Sequence, residues 1–213
     1  MKEKMLNVAK NNKRFILLLI CLTLFIIILV NVLNDNIRGF DESIYDEIIS
    51  LESNCITGFF KGITKFADAK SLILMSIICL IVIKNKKIGS CITVNLISSA
   101  FINHLIKEIV QRPRPPIELR MVEVSNFSFP SGHAMTATAF YGLILYFVFN
   151  NVKNKKLRSM VCVILSLLIS LIGISRIYLG VHYASDVLAG FLFGIVYLVL
   201  YTTFIIKLFK IED

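Results

Sequence analysis

Three clusters in the 213-residue chain carry residue types suited to phosphate chemistry. The first runs from Lys107 to Pro115 and holds Arg112 and Arg114 between prolines. A helix running to about Gln111 would end on Lys107, and the prolines would stiffen the loop carrying Arg114. Two fixed cations can then converge on one point. The second cluster is Phe129, Pro130, Ser131, Gly132 and His133, immediately before a long apolar run. The N-terminus of a helix presents free backbone N–H groups and the positive end of its dipole, a good seat for phosphate. Gly132 lets the backbone approach closely, and Ser131 adds a hydroxyl donor. The third cluster is Ser175-Arg176, then His182, then Asp186. If a helix starts near His182, the histidine and Asp186, four residues apart, share a face. A carboxylate on one imidazole nitrogen fixes the tautomer and makes the other nitrogen the better nucleophile.

Together these residues suit phosphoryl transfer without a metal. Charge is needed on the equatorial oxygens, an in-line nucleophile on phosphorus, and an acid for the leaving oxygen. Lys107, Arg114 and Arg176 supply charge, His182 can attack, and His133 can protonate the leaving group.

The elements that must position these groups are membrane helices. Hydrophobic residues make up 56% of the chain and charged residues 17%, and the mean hydropathy is +0.77. Soluble domains carry about 45–50% apolar and about 25% charged residues. Disorder, collagen and coiled coil are excluded, and a soluble globular domain does not fit. Six helices of about 20 residues would use the whole apolar content. The sequence therefore predicts an all-α polytopic bundle with six transmembrane helices and a single domain over residues 1–213.

The expected spans are Phe15–Leu33, a second ending with Ser71–Ile83, then Ile88–Ile106, Ala134–Val152, Met160–Ser175 and Val187–Ile206. The second is too short alone and is expected to extend back through Phe60–Ala69, accepting Asp68 and Lys65. Phe40–Leu51 alternates apolar residues with carboxylates, which predicts a short interfacial helix. Five cysteines (Cys21, Cys55, Cys79, Cys91, Cys162) include no CxxC pair. They read as small membrane-buried side chains, not as disulfides or metal ligands.

Orientation follows from Lys and Arg. Fourteen of the 23 lie at the N-terminus (Lys2, Lys4, Lys10, Lys13, Arg14), in the connections at 84–87 and 153–158, and at Lys207 and Lys210. That side should be cytoplasmic, with both termini inside. The first connection holds six carboxylates (Asp35, Asp41, Glu42, Asp46, Glu47, Glu52) and only Arg38, and should face outward. The net charge of +9 is thus explained by membrane topology, without a nucleic-acid partner. Lys107, Arg112, Arg114, Arg120 and Arg176 fall on the outer side against the rule. A bound anion is the natural reason.

The motifs K-x6-R-P, P-S-G-H and S-R-x5-H-x3-D resemble the three signatures of the type 2 phosphatidic acid phosphatase superfamily. Here they read Lys107…Arg114-Pro115, Pro130-Ser131-Gly132-His133 and Ser175-Arg176…His182…Asp186, in order and without a departure. Any one would be weak; three in order are specific. The layout resembles the small bacterial membrane members. The resemblance implies a lipid-phosphate phosphatase with a phosphohistidine on His182, His133 as acid and Asp186 as its orienter. It also implies phosphate binding by Lys107, Arg114, Ser131, Gly132 and Arg176, no metal or cofactor, and a site at the outer face of the plasma membrane. Family substrates are phosphatidic acid, phosphatidylglycerophosphate and undecaprenyl diphosphate, with a slight lean to the latter two. The alternatives are a phosphotransferase using the same site, or a channel or transporter, which leaves the motifs unexplained. Haloperoxidases share the site pattern but are soluble.

Other polar residues have milder readings. His104 reads as a satisfied polar core residue or a support for Lys107. Arg112 either touches the substrate head group or is a solvated loop charge, and Arg120 is equally open. Asp68 and Lys65 read as the outer end of the second span. Glu108 either pairs with Lys107 or points to water. Tyr178 and Tyr183 read as gates of the site or, in preference, as interfacial anchors. Ala184, Ala189, Gly190 and Gly194 read as a close-packing surface.

Overall fold

The protein is described here from a computed structural model, which covers residues 2–208 and, within them, the side chains of residues 12–206 and 208. Lys210 lies outside the described residues. So do the side chains of Lys2, Lys4, Lys10 and Lys207. Among the described residues eight α-helices follow one another: α1 (Lys2–Leu33), α2 (Arg38–Ile49), α3 (Asn54–Thr64), α4 (Ala69–Val82), α5 (Lys86–Val110), α6 (Gly132–Asn151), α7 (Lys155–Tyr178) and α8 (Ala184–Leu208). Five of them are long and apolar enough to cross a membrane, over Asn12–Leu33, Lys86–Val110, Gly132–Asn151, Lys155–Tyr178 and Ala184–Ile206.

The second expected span is the one that differs. It is not one helix extended back from Ile83. α3 ends at Thr64, a 3-10 turn covers Lys65–Ala67, Asp68 is extended, and α4 starts at Ala69. At about 1.5 Å per residue the 14 residues of α4 are shorter than a bilayer core, and the break has to supply the rest. α3 packs against α7, and α4 against α5.

α6 is the centre of the bundle, packed on α5, α7 and α8. Its first twelve residues are nearly all buried, and the core around Phe140, Tyr141 and Leu143 is closed by Ile92 and Ile172 from its neighbours. α1 packs on α8 and otherwise shows an apolar surface, including Phe15, Ile20 and Ile27, as a lipid-facing helix must. α8 approaches α6 closely because it carries small residues: a Cβ on Gly190 would stand 2.8 Å from the Ser131 carbonyl, and one on Gly194 2.7 Å from Thr138 Cβ. The small-residue surface expected on this helix is therefore used.

The alternation of the helices brings the end of α5, the start of α6, the end of α7 and the start of α8 to one face. All three motifs lie there. The connections at 83–85 and 152–154 lie at the other face, with the start of α1 and the end of α8. The interfacial helix forms as α2, slightly earlier than expected, and lies across the ends of α7 and α8.

Candidate active site

α5 is stopped at Val110 by Gln111, which takes a left-handed conformation (φ 50°), and the prolines beyond it keep the chain from resuming a helix. Lys107, in the last turn, is buried. Its Nζ donates to the carbonyls of Phe127 and Ser128 (3.0 Å for the latter), so it clamps the segment leading into Ser131 and keeps a third N–H. Arg114, in the loop, donates from Nη1 to the Val181 carbonyl (2.6 Å) and from Nε to the Asn126 carbonyl (2.6 Å). The same Nη1 stands 3.2 Å from His182 Nε2. Burial brings its guanidinium down to about 10, with Asp186 pulling the other way and Arg120 adding to the fall, so it stays charged at neutral pH.

Ser131 occupies the position before α6, where a hydroxyl usually accepts a helix N–H. Here it makes no such bond; its Oγ is buried and unpartnered, while its N–H donates to the Asp186 carbonyl (2.9 Å). Gly132 fits tightly, since a Cβ there would meet Asn103 Oδ1 at 3.1 Å. The first N–H groups of α6 have no helical acceptor.

His182 lies in the turn between α7 and α8, two residues before the helix that was expected to start near it. Gly180 makes that turn possible: its φ is +66°, and a Cβ there would stand 1.9 Å from the Leu119 carbonyl. Asp186, in the first turn of α8, reaches back to accept the Tyr183 N–H (3.0 Å), half of a capping box. The same Oδ2 accepts from the Ser128 hydroxyl and lies 3.4 Å from His182 Nδ1. These contacts assign the proton to Nδ1 and leave the Nε2 lone pair facing Arg114. Burial pushes the His182 imidazolium well below the ordinary histidine range, although Asp186 pulls it up. The neutral, nucleophilic form is therefore the resting one at neutral pH.

The other oxygen of Asp186 accepts from Arg112 Nη1 (2.6 Å), and Arg112 Nη2 donates to Asp41 Oδ2 (2.7 Å). Asp41 comes from α2 and also accepts the Ser185 N–H and hydroxyl, both at 2.8 Å. Burial alone would lower the Arg112 guanidinium, but Asp186 and Asp41 more than offset it. Its guanidinium also lies over the Tyr183 ring, 4.2 Å from the centroid. α2 is thus tied to the histidine's partner through one arginine. Replacing Arg112 with alanine would leave two carboxylates, 1% and 0% exposed, without their cation. The expected loss of stability is about 3–5 kcal/mol, read as a lower melting temperature in detergent. A variant as stable as its parent would contradict the assignment.

His133, at the start of α6, directs Nε2 to Asp68 Oδ1 at 2.9 Å. Arg176, from the last turn of α7, donates from Nη1 to Thr64 Oγ1 (2.6 Å), and its Nε is buried without a partner. Lys107, Arg114 and Arg176 are near enough to feel one another's charge. Three cations share this space with two unpartnered buried donors, Ser131 Oγ and Arg176 Nε. Cations and free donors grouped in this way can hold an anion.

All eight residues expected from the sequence meet at this one face. Several others read differently from expectation. His104 is neither core nor a support for Lys107; it is exposed on α5 and faces Glu108 at 3.7 Å. Glu108 consequently pairs with His104 and not with Lys107. Arg112 is no solvated loop charge. Arg120 braces its own loop, donating to the Pro115 carbonyl (2.8 Å). Tyr178 is fully buried and ties α7 to α3, with its hydroxyl 2.8 Å from Thr57 Oγ1 and its ring on Phe60. It is not an interfacial anchor. Asp41, Ser128 and Thr64 carried no local signal: a carboxylate in an acidic surface stretch and two hydroxyls become partners only through tertiary contact.

A cavity of about 880 Å³ opens on His182. Its walls come from the end of α1 (Val32, Leu33), α2 (Glu42, Tyr45) and the loop after α5 (Pro115, Leu119). Its lining combines apolar residues from the ends of α1 and α5 (Leu33, Val110) with carboxylates (Asp35, Asp46).

The sequence profile described as the PAP2 superfamily matches residues 89–210, which hold all three motifs. A phosphatidylglycerophosphatase B of Bacillus subtilis is 33% identical over 184 residues, covering 83% of this chain and 89% of the relative. An undecaprenyl-diphosphatase of Sulfolobus acidocaldarius is 27% identical over 84% of this chain and 85% of its own. The crystal structure of a transmembrane PAP2-type phosphatidylglycerolphosphate phosphatase from Bacillus subtilis superposes with a TM-score of 0.81 at 29% identity. That match covers 89% of this chain and 96% of the other.

Proposed function

Because this chain belongs to the PAP2 superfamily and its relatives there are membrane lipid phosphatases, we propose that residues 1–213 form one domain that removes the terminal phosphate of a membrane lipid through His182. The observation that carries this reading is the pairing of a neutral His182, Nδ1 toward Asp186 and Nε2 toward Arg114, with the unpartnered Ser131 Oγ and Arg176 Nε.

In the first step Nε2 of His182 attacks the terminal phosphorus. The P–N bond forms as the P–O bond to the lipid breaks, and His133 gives its proton to the departing oxygen. In the second step His133 takes a proton from water, whose oxygen attacks phosphorus as the P–N bond breaks. Inorganic phosphate leaves and His182 is neutral again. Lys107, Arg114, Arg176, the Ser131 hydroxyl and the Gly132 N–H hold the equatorial oxygens, whose charge is shared among donors already in place. Asp186 stabilises the positive charge that His182 acquires on attack.

Phosphatidylglycerophosphate is the favoured substrate, on the identity and coverage of the Bacillus relative. Undecaprenyl diphosphate is the second reading, on the full-length match to the archaeal enzyme. The lipid enters from the bilayer into the cavity beside His182. The carboxylate-rich first connection and the basic opposite face support a site at the outer face of the plasma membrane.

The test is phosphate release by the purified protein in detergent with EDTA present. The panel is phosphatidylglycerophosphate, undecaprenyl diphosphate, phosphatidic acid and a soluble phosphate ester. Turnover of one of the first two lipids is expected, with inhibition by vanadate, which adopts the five-coordinate geometry of the transferring phosphoryl group. Silence on all lipids, or strong inhibition by EDTA, would refute the reading.

A further inference from the structure

The break in the second span is pinned at three points to the helices that carry the site. Thr64 accepts from Arg176 Nη1 at 2.6 Å, the Phe66 carbonyl accepts the Tyr141 hydroxyl at 2.7 Å, and Asp68 meets His133 Nε2 at 2.9 Å. Interrupting a membrane helix frees backbone groups that must find other partners. Here the freed segment is spent on two residues of the anion site.

Asp68 stands where a helix N-cap stands, and aspartate is a favoured residue there because its oxygen accepts a helix N–H. Yet its side chain makes no capping bond to α4. Its extended backbone (φ −65°, ψ 145°) aims the carboxylate at α6 instead. The histidine's bond holds the Asp68 carboxyl below the usual carboxylate range, against the effect of partial burial. Arg176 and Arg114 both act on His133 electrostatically, and Lys65 lies near Asp68. Among the described charged groups acting on His133, Asp68 is the carboxylate. With Nε2 committed to it, Nδ1 is the nitrogen left to hand a proton to the leaving oxygen and later to take one from water. The two histidines are then held in opposite senses: His182 by Nδ1, with Nε2 free to attack, and His133 by Nε2, with Nδ1 free to shuttle a proton.

We propose that Asp68 is the positioning residue of the acid His133, and that the second span is broken where it is to deliver this carboxylate. The proposal rests on the phosphatase reading above.

Its test is the dependence on leaving group. Two substrates would share one long chain: an alkyl phosphate, whose alkoxide must be protonated as it leaves, and a nitrophenyl phosphate, whose phenolate leaves unaided. The quantity is kcat/KM, which reads the steps through departure of the leaving group. General acid catalysis is worth on the order of 10²–10⁴-fold. Asp68→Ala should therefore lose about 100-fold on the alkyl phosphate, a loss at the low end of that range. On the nitrophenyl ester it should lose only a few-fold. Asp68→Asn, which keeps an acceptor for Nε2 but not the charge, should fall between parent and Asp68→Ala on the alkyl substrate. Equal losses on both substrates would make Asp68 a purely structural residue and overturn the proposal, as would full activity on the alkyl phosphate. His133→Ala, run alongside, separates the two levels. A split there but none in Asp68→Ala refutes only the role of Asp68. No split in His133→Ala refutes the acid itself, and no turnover by the parent refutes the phosphatase reading.

Discussion

Replacing His182 with alanine should abolish turnover of every lipid phosphate the protein accepts, by on the order of 10⁴-fold or more. Nothing else in the site can substitute. Among the described residues at the seat, the unpartnered buried groups are a serine hydroxyl without a base at hydrogen-bonding distance and a guanidinium nitrogen. Arg114, Arg176 and Lys107 are donors, and His133 is turned toward Asp68. The fold should survive, because the side chain sits in a turn whose shape is held by backbone bonds: the N–H groups of Val181 and His182 both donate to the Arg176 carbonyl at 3.2 Å. Alanine removes the imidazole without touching them. The confirming measurement is radiolabel from a terminally labelled lipid phosphate, retained on protein after rapid quenching at high pH, where phosphohistidine survives. Label is expected in the parent, more in His133→Ala with a good leaving group, and none in His182→Ala. Label in His182→Ala, or turnover within ten-fold of the parent, would remove His182 from the role of nucleophile. Because burial keeps the imidazole neutral well below pH 6.5, the acid limb of kcat/KM, once corrected for substrate ionisation, should lie below that pH. Protonation removes the lone pair, so rate is lost as pH falls through the depressed value. A limb at or above 6.5 would mean that His182 is not desolvated in the free enzyme.

Asp186→Asn has the second largest expected effect, a loss of about 10³–10⁴-fold in kcat, by the logic of carboxylates that orient a catalytic imidazole. Two changes add up. An amide presents either an N–H or a carbonyl to Nδ1, so the tautomer that frees Nε2 is no longer enforced. The positive charge that develops on His182 during attack also loses its counter-ion, in a site where three cations already oppose it. The substitution has a further reach, because Oδ1 of Asp186 holds Arg112, which in turn holds Asp41. Asp186→Asn should therefore also loosen α2, and a measurement of amide exchange over residues 38–49 would detect faster opening. Asp41→Asn should loosen the same helix while leaving the Nδ1 contact in place, so its activity loss should be far smaller. If Asp41→Asn were as inactive as Asp186→Asn, the two carboxylates would act as one unit and the orienting role would not belong to Asp186 alone. If Asp186→Asn kept activity within ten-fold, His182 would be oriented by Ser128 or the backbone instead.

Much of this molecule was legible before any coordinates. The number and order of the long apolar stretches, the interfacial helix, the close approach of Gly190 and Gly194 and the convergence of three motifs at one face all follow from local composition. Five spans came out within a few residues of expectation. Their ends are set by signals the chain writes locally, such as Gln111 before Pro113, or Ser131 and Gly132 ahead of an uncharged run. Lys107, Arg114, Ser131, Gly132, His133, Arg176, His182 and Asp186 stood out in the sequence as a set, because charged residues and histidines at the ends of apolar spans are unusual residues in unusual places, and the structure brings them to one face.

The errors share a cause. His104 and Lys107 lie three residues apart on α5, so the helix period puts them on adjoining faces, and only the packing of α6 decides that one is buried and the other turned outward. Asp41 was read as one of the carboxylates of the interfacial helix, and Asp68 as the outer end of the second span. Asp41 carries no mark that distinguishes it from Glu42 or Asp46, and nothing local to Asp68 points to His133. What the sequence by itself determined is which chemistry the chain carries and at which end of which helices, because helix length, helix ends and the burial preference of charge are local properties. Only the tertiary structure decided which of several equivalent-looking carboxylates supports that chemistry. Asp41 reaches Ser185 across 144 residues, and Asp68 reaches His133 across 65. A contact between distant segments is fixed by how helices pack in three dimensions, and no single stretch of chain encodes that.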